Sequence, residues 1–118
     1  MKVLFDHNVP KKLRRLLPDH NISTSREMGW DPLKNGDLLV AAEASGFEVM
    51  VTGDKNLAYQ QNLEGRKLGL VILGATDWNI LKRDPSPVIA ALDRAGPGSF
   101  ERLEKILPRP RRGFSPGP

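Results

Sequence analysis

The chain is expected to fold as one α/β domain, a three-layer α/β/α sandwich around a mainly parallel central sheet of four to five strands. Three observations predict it. Short runs of apolar residues, Lys2 to Phe5, Phe47 to Thr52 and Gly69 to Leu73, are apolar nearly throughout, as strands covered on both faces are. Segments of helical composition separate them, which is the βαβ alternation of a parallel sheet with right-handed crossovers. At 118 residues the chain matches the commonest domain size and is long enough to bury about two thirds of its unfolded surface.

Each element has a local reason. Lys2 to Phe5 ends at Asp6 and reads as a buried first strand. Asn8-Val9-Pro10 is expected to open a helix, with Asn8 capping the first amides and Pro10 in the first turn. Leu13, Leu16 and Leu17 share one face of it, Lys11, Lys12, Arg14 and Arg15 surround them, and Pro18 stops it. Asn21 to Ser25 is a weaker second strand, followed by a turn over Arg26 to Trp30. Asp31-Pro32 and Asn35-Gly36 mark loops. A helix is expected from Asp37 to Ser45, its first-turn acid suiting the helix dipole and Gly46 closing it. Phe47 to Thr52 is the third strand, broken by Gly53-Asp54. Leu57 to Leu63 fits a helical turn, Gly69 to Leu73 a fourth strand and Pro87 to Ala95 a helix. Ser99 to Ile106 suits either an edge strand or a short helix. The domain is expected to span residues 1–107. Residues 108–118 hold four prolines, two glycines and three arginines, a composition expected to form a disordered tail.

Composition narrows the chemistry. With no cysteine there is no disulfide, thiolate zinc site or cysteine nucleophile, and a cytoplasmic setting is expected. No run approaches a membrane span, and Met1 to Asp6 does not read as a signal peptide. The two histidines, His7 and His20, lack metal-binding spacing, so oxygen ligands and hence Mg²⁺ or Mn²⁺ are expected for any metal. The net charge of +4 favours polyanion partners, although Arg109, Arg111 and Arg112 supply most of it.

The acids carry the functional reading. In a 2-1-3-4 sheet, Asp6 after strand one and Asp54 after strand three flank the topological switch point, where open α/β sheets bind ligands. A helix preceding a parallel strand starts at that same edge, which brings Asp37 there too. Three carboxylates together would repel one another, and a divalent cation relieves the conflict while activating water and stabilising phosphoryl charge. Taken singly, Asp37 is also a helix-dipole acid, Asp6 a turn cap and Asp54 a turn residue. His7, by alternation along an extended chain, is expected to face the core or a helix.

Val3-Leu4-Phe5-Asp6-His7-Asn8-Val9-Pro10, Glu27-Met28-Gly29-Trp30, Asp37 at a helix start and Val51-Thr52-Gly53-Asp54-Lys55-Asn56-Leu57 occur in an order and spacing that resembles the PIN-like family of VapC-type toxin–antitoxin ribonucleases. The resemblance covers residues 2 to 75. It implies a PIN-like fold, Mg²⁺- or Mn²⁺-dependent cleavage of RNA, and inhibition by a small antitoxin protein, with a homodimer as a common form. It places catalytic, metal-holding roles on Asp6, Asp37 and Asp54, and a further metal ligand on Asn56. Thr52 becomes either an orienting partner of Asp54 or a plain strand residue. Asn56 departs from the family's usual Asp: an amide coordinates through its carbonyl but adds no charge. Lys11, Lys12, Arg15 and Tyr59 are candidate RNA contacts, by charge and by stacking.

Two other classes stay open. One is a catalytically weak or inactive PIN-like module that binds RNA or antitoxin without turnover. The other is a receiver-like phospho-acceptor, which the sequence disfavours because Asp6 is followed by His7 and Asn8 rather than a second acid.

Overall fold

Val3, Leu4 and Phe5 are fully enclosed, as are Val49, Met50 and Val51, so the middle strands are covered on both faces. That is why they read as unbroken apolar runs. The computed structural model describes residues 1–54 and 67–103. Five strands, β1 (Lys2–Phe5), β2 (Asn21–Thr24), β3 (Val49–Thr52), β4 (Gly69–Ile72) and β5 (Phe100–Arg102), form one sheet in the order β2-β1-β3-β4-β5. Every neighbouring pair is parallel. The registers Val3 with Val49 and Phe5 with Val51 bring the ends of β1 and β3 level.

Side-chain alternation along the strands divides the core into two layers. Val3, Phe5, Val49, Val51 and Val71 face Leu13 and Leu17 of the segment after β1, together with Leu81, Val88 and Leu92. Leu4, Met50 and Leu70 face Leu38, Leu39 and Ala42 of helix α1 (Asn35–Ala44). Helix α2 (Trp78–Leu81) and helix α3 (Ser86–Arg94) lie in the first of these layers. Each fully buried Leu, Val or Phe contributes about 1.5–3 kcal/mol, so the two layers hold the sheet between them.

Several expected boundaries move. The segment after Pro10 is a 3₁₀ helix, Lys11–Leu16, held by bonds such as Leu13 N to Pro10 O at 3.1 Å. Asn8 does not cap it, because its side-chain oxygen is engaged elsewhere, and extended Pro10 stands at the cap position instead. Helix α1 starts at Asn35, two residues before Asp37, because extended Lys34 presents its carbonyl to the amides of Asp37 and Leu38. Helix α3 starts at Ser86 rather than Pro87, and the Asp84 carboxylate accepts from the Ser86 amide. Helix α2 was not foreseen; Asp77 caps it through the Asn79 amide at 2.9 Å. The segment from Ser99 resolves as an edge strand, β5, reached through a turn in which Gly98 takes φ 77°. Trp30 packs edge-on against Phe47, and Trp78 packs against the opposite layer, so both indoles serve the core. Among the described residues, no helix is long and apolar enough to cross a membrane. The expected turn at Leu57 to Leu63 and the tail 108–118 lie outside the described residues.

Candidate active site at the carboxyl edge of the sheet

β1 and β3 are adjacent and parallel, and the chain leaves each in a different direction, to β2 on one side and β4 on the other. The crevice between their carboxyl ends is therefore a switch point, and Asp6 and Asp54 both line it. The cavity measures about 440 Å³, with His7, Asn8, Asp31 and Lys34 also in its walls and Leu33 and Leu38 as its apolar part.

Thr52 connects the two acids. It is fully buried at the end of β3, and its Oγ1 donates to Asp6 Oδ2 at 2.7 Å and accepts from the Asp54 amide at 3.1 Å. A hydroxyl, which both donates and accepts, is the smallest group that can do this on a β-branched strand residue. The other Asp6 oxygen, Oδ1, accepts from the His7 amide at 2.7 Å. Asn8 makes a second link between the loops, its Oδ1 accepting from the Gly53 amide at 2.9 Å. Gly53 is needed where it lies, because a Cβ there would run into the Thr76 methyl and come 3.4 Å from the Asn8 amide group.

His7 stands at the site rather than in the core. The strand ends at Phe5 and a turn begins at His7 itself, so strand alternation stops before it reaches this residue. Its Nδ1 lies 2.9 Å from Ser25 Oγ and 3.5 Å from Asp31 Oδ1, and its Nε2 is 4.0 Å from Asp6 Oδ1. Ser25 and Asp6 thus stand at opposite nitrogens of the His7 imidazole, in Ser-His-Asp order. Ser25 is fully buried and the His7–Asp6 gap exceeds a hydrogen bond, so the serine tethers the imidazole and does not reach a substrate.

The remaining candidates divide. Asp37 sits in the first turn of α1, exposed, and is not among the cavity's lining residues. Leu38 takes the cavity-facing place, and one residue along an α-helix is a rotation of about 100°. Lys11, Lys12 and Arg15 are exposed on the 3₁₀ helix. Asn56 and Tyr59 lie outside the described residues. Among the described residues, no three His, Asp or Glu side chains stand close enough together to hold a metal ion. His7, Asn8, Asp31 and Lys34 were missed as site residues. Asp31-Pro32 and Asn35-Gly36 advertised only a loop, and nothing in one sequence says which loop closes over which strand end.

Beside the cavity, Glu27 forms a dense knot. It takes both Arg14 guanidinium nitrogens, at 2.8 and 3.1 Å, and the Thr24 amide at 3.0 Å, with Lys11 Nζ at 3.3 Å. Thr24 Oγ1 returns a bond from the Glu27 amide, a capping-box pattern used on a turn. Chiefly through Arg14, then through the Thr24 amide and Lys11, the Glu27 carboxyl is held down at about 2 against an ordinary 4.5. Arg14 is raised in return by the same bond.

The class these features define is an open, parallel α/β domain with a carboxylate-lined switch-point crevice. No family model, curated protein or solved structure matches the chain.

Proposed function

We propose that the protein is a Mg²⁺- or Mn²⁺-dependent endoribonuclease that hydrolyses RNA phosphodiester bonds. The observation that supports this reading most is the Asp6–Thr52–Asp54 linkage, which fixes the Asp6 carboxylate and the Asp54 backbone beside one crevice that both residues line. The donor set fits a hard cation. Asp6 and Asp54 offer carboxylate oxygen, and each Asp6 oxygen accepts one protein hydrogen bond while a carboxylate has about four lone-pair sites in all. Asp6 and Asp54 would hold the ion. When bound, it supplies Lewis acidity for water and for a phosphoryl oxygen. The chain's own work is positional: Thr52 fixes one acid and the backbone of the other, Asn8 ties the two loops, and Lys34 brings positive charge to the crevice wall for a phosphate.

The resemblance to the PIN-like toxins extends the proposal to a cytoplasmic toxin that forms a homodimer and is held by a small antitoxin protein. The test is calorimetric titration of Mn²⁺ into wild type and into Asp6→Asn and Asp54→Asn, beside cleavage of a mixed RNA pool. Binding and cleavage that both variants lose, with folding retained, supports the reading. Undiminished cleavage by both variants sinks it. One observation favours the second reading, a module that binds RNA or antitoxin without turnover: only two of the three expected acids share the crevice among the described residues. That reading predicts RNA binding that chelation leaves unchanged.

A further inference from the structure

A second cavity, of about 340 Å³, opens on the other side of Asp6 and His7, which line both spaces. Its remaining walls are Val9, Pro10, Lys11, Thr24 and Arg26. The two cavities differ in charge. The first has Asp6, Asp31 and Asp54 against Lys34, whereas the second has Lys11 and Arg26 against Asp6 alone.

Both cations are placed to change partners. Lys11 Nζ lies 3.3 Å from Glu27 and Arg26 Nε lies 3.5 Å from Asp31, and both basic side chains are well exposed. Ion pairs of this kind are worth little, so a phosphate can replace the acid at small cost. Neither acid is stranded by the exchange. Glu27 keeps its two-point bond to Arg14 and its bond from the Thr24 amide, and Asp31 keeps His7 within 3.5 Å.

We propose that this second cavity seats the neighbouring phosphate of a single-stranded RNA whose scissile phosphate lies between Asp6 and Asp54. Lys11 and Arg26 hold that phosphate, and Val9 and Pro10 lie against its sugar. The inference rests on the nuclease reading for the identity of the strand. A single strand suits the shape: a flexible backbone bends over the Asp6–His7 step into both spaces, while a rigid duplex enters neither deeply. The two cavities then divide the labour, acid for the ion and base for the flanking charge.

The test reads binding rather than cleavage. The full chain, in chelator so that no turnover occurs, is titrated into a short fluorescein-labelled oligouridylate from about 50 to 200 mM salt. Each phosphate no longer neutralised on a single strand lowers the slope of log K against log salt by roughly 0.7, so Lys11→Gln/Arg26→Gln, which empties one seat, is expected to lower it by about that much and weaken binding several-fold. Lys82→Gln/Arg83→Gln removes the same charge from exposed residues that line neither cavity and leaves the slope unchanged. An unaltered slope in the first variant, an equal loss in the second, or no RNA binding by wild type overturns the proposal. If wild type binds with the expected slopes yet cleaves nothing in Mn²⁺, the seat for the phosphate stands and the nuclease reading falls.

Discussion

Replacing Glu27 by Gln keeps the size of the side chain and removes its charge, which isolates what the Arg14–Glu27 knot contributes. A carboxyl held at about 2 against 4.5 corresponds to about 3.4 kcal/mol at 1.36 kcal/mol per pH unit if nothing screened it. Arg14 and Glu27 are 32% and 37% exposed, so water screens the pair and about 1 kcal/mol is the expected net contribution. The sign follows from the lowered value. The stabilisation is complete above 4.5 and disappears as the pH falls through about 2. Urea unfolding of wild type and Glu27→Gln across pH 7 to 2.5 is the assay. The variant is expected to be about 1 kcal/mol less stable at neutral pH, with the gap closing steadily below 4.5. A gap that stays constant across that range would refute the electrostatic account, and no gap at pH 7 would refute the knot itself.

Thr52→Val preserves the strand and deletes the hydroxyl, leaving Asp6 Oδ2 and the Asp54 amide each short of a partner; a loss of about 1–3 kcal/mol is expected in chemical denaturation. Mn²⁺ affinity, where calorimetry detects it in wild type, should fall about ten-fold or more with it. Leu39→Ala, at a fully buried position of α1, is expected to cost about 2–5 kcal/mol, while Val40→Ala next to it, 59% exposed, stays within about 0.5 kcal/mol. Thermal melts of that pair check which helix face meets the sheet. Gly69→Ala places a methyl against the Gly96 carbonyl oxygen and 2.8 Å from Ser99 Oγ, so β4 and the turn before β5 must separate, at about 1–3 kcal/mol. Gly96→Ala has open space and serves as the control, its melting temperature expected to change little.

The layers of this fold were legible because burial on both faces leaves a signature that survives in one dimension. Val3-Leu4-Phe5 and Val49-Met50-Val51 have no polar alternation, and in a chain this short that leaves a covered parallel sheet as the natural solution. The convergence of Asp6 and Asp54 followed from strand order alone. Helix phase was less legible. The Asn35-Gly36 pair advertises a turn, yet Lys34 begins the helix before it, and that shift accompanies an Asp37 that lies outside the crevice. Asn8 has the residue type of a helix cap, and only the nearness of Gly53, 45 positions along the chain, turns it into a tie between loops. His7 was misplaced because the period of a strand was carried two residues past the strand's end.

The interior place of β1 has a consequence for how the molecule is made. All five strands run the same way, so no tight hairpin can form any of the pairings, and each waits for a crossover. β1 precedes both its neighbours in the chain, and the inner one, β3, follows only after the 46 residues from Asp6 to Thr52. At 5–20 residues per second, that interval is about 2 to 9 s on a translating ribosome, during which Val3, Leu4 and Phe5 have at most one edge paired. Three residues that the finished protein encloses completely, Val3, Leu4 and Phe5, are thus the ones the nascent chain leaves waiting longest for their second neighbour.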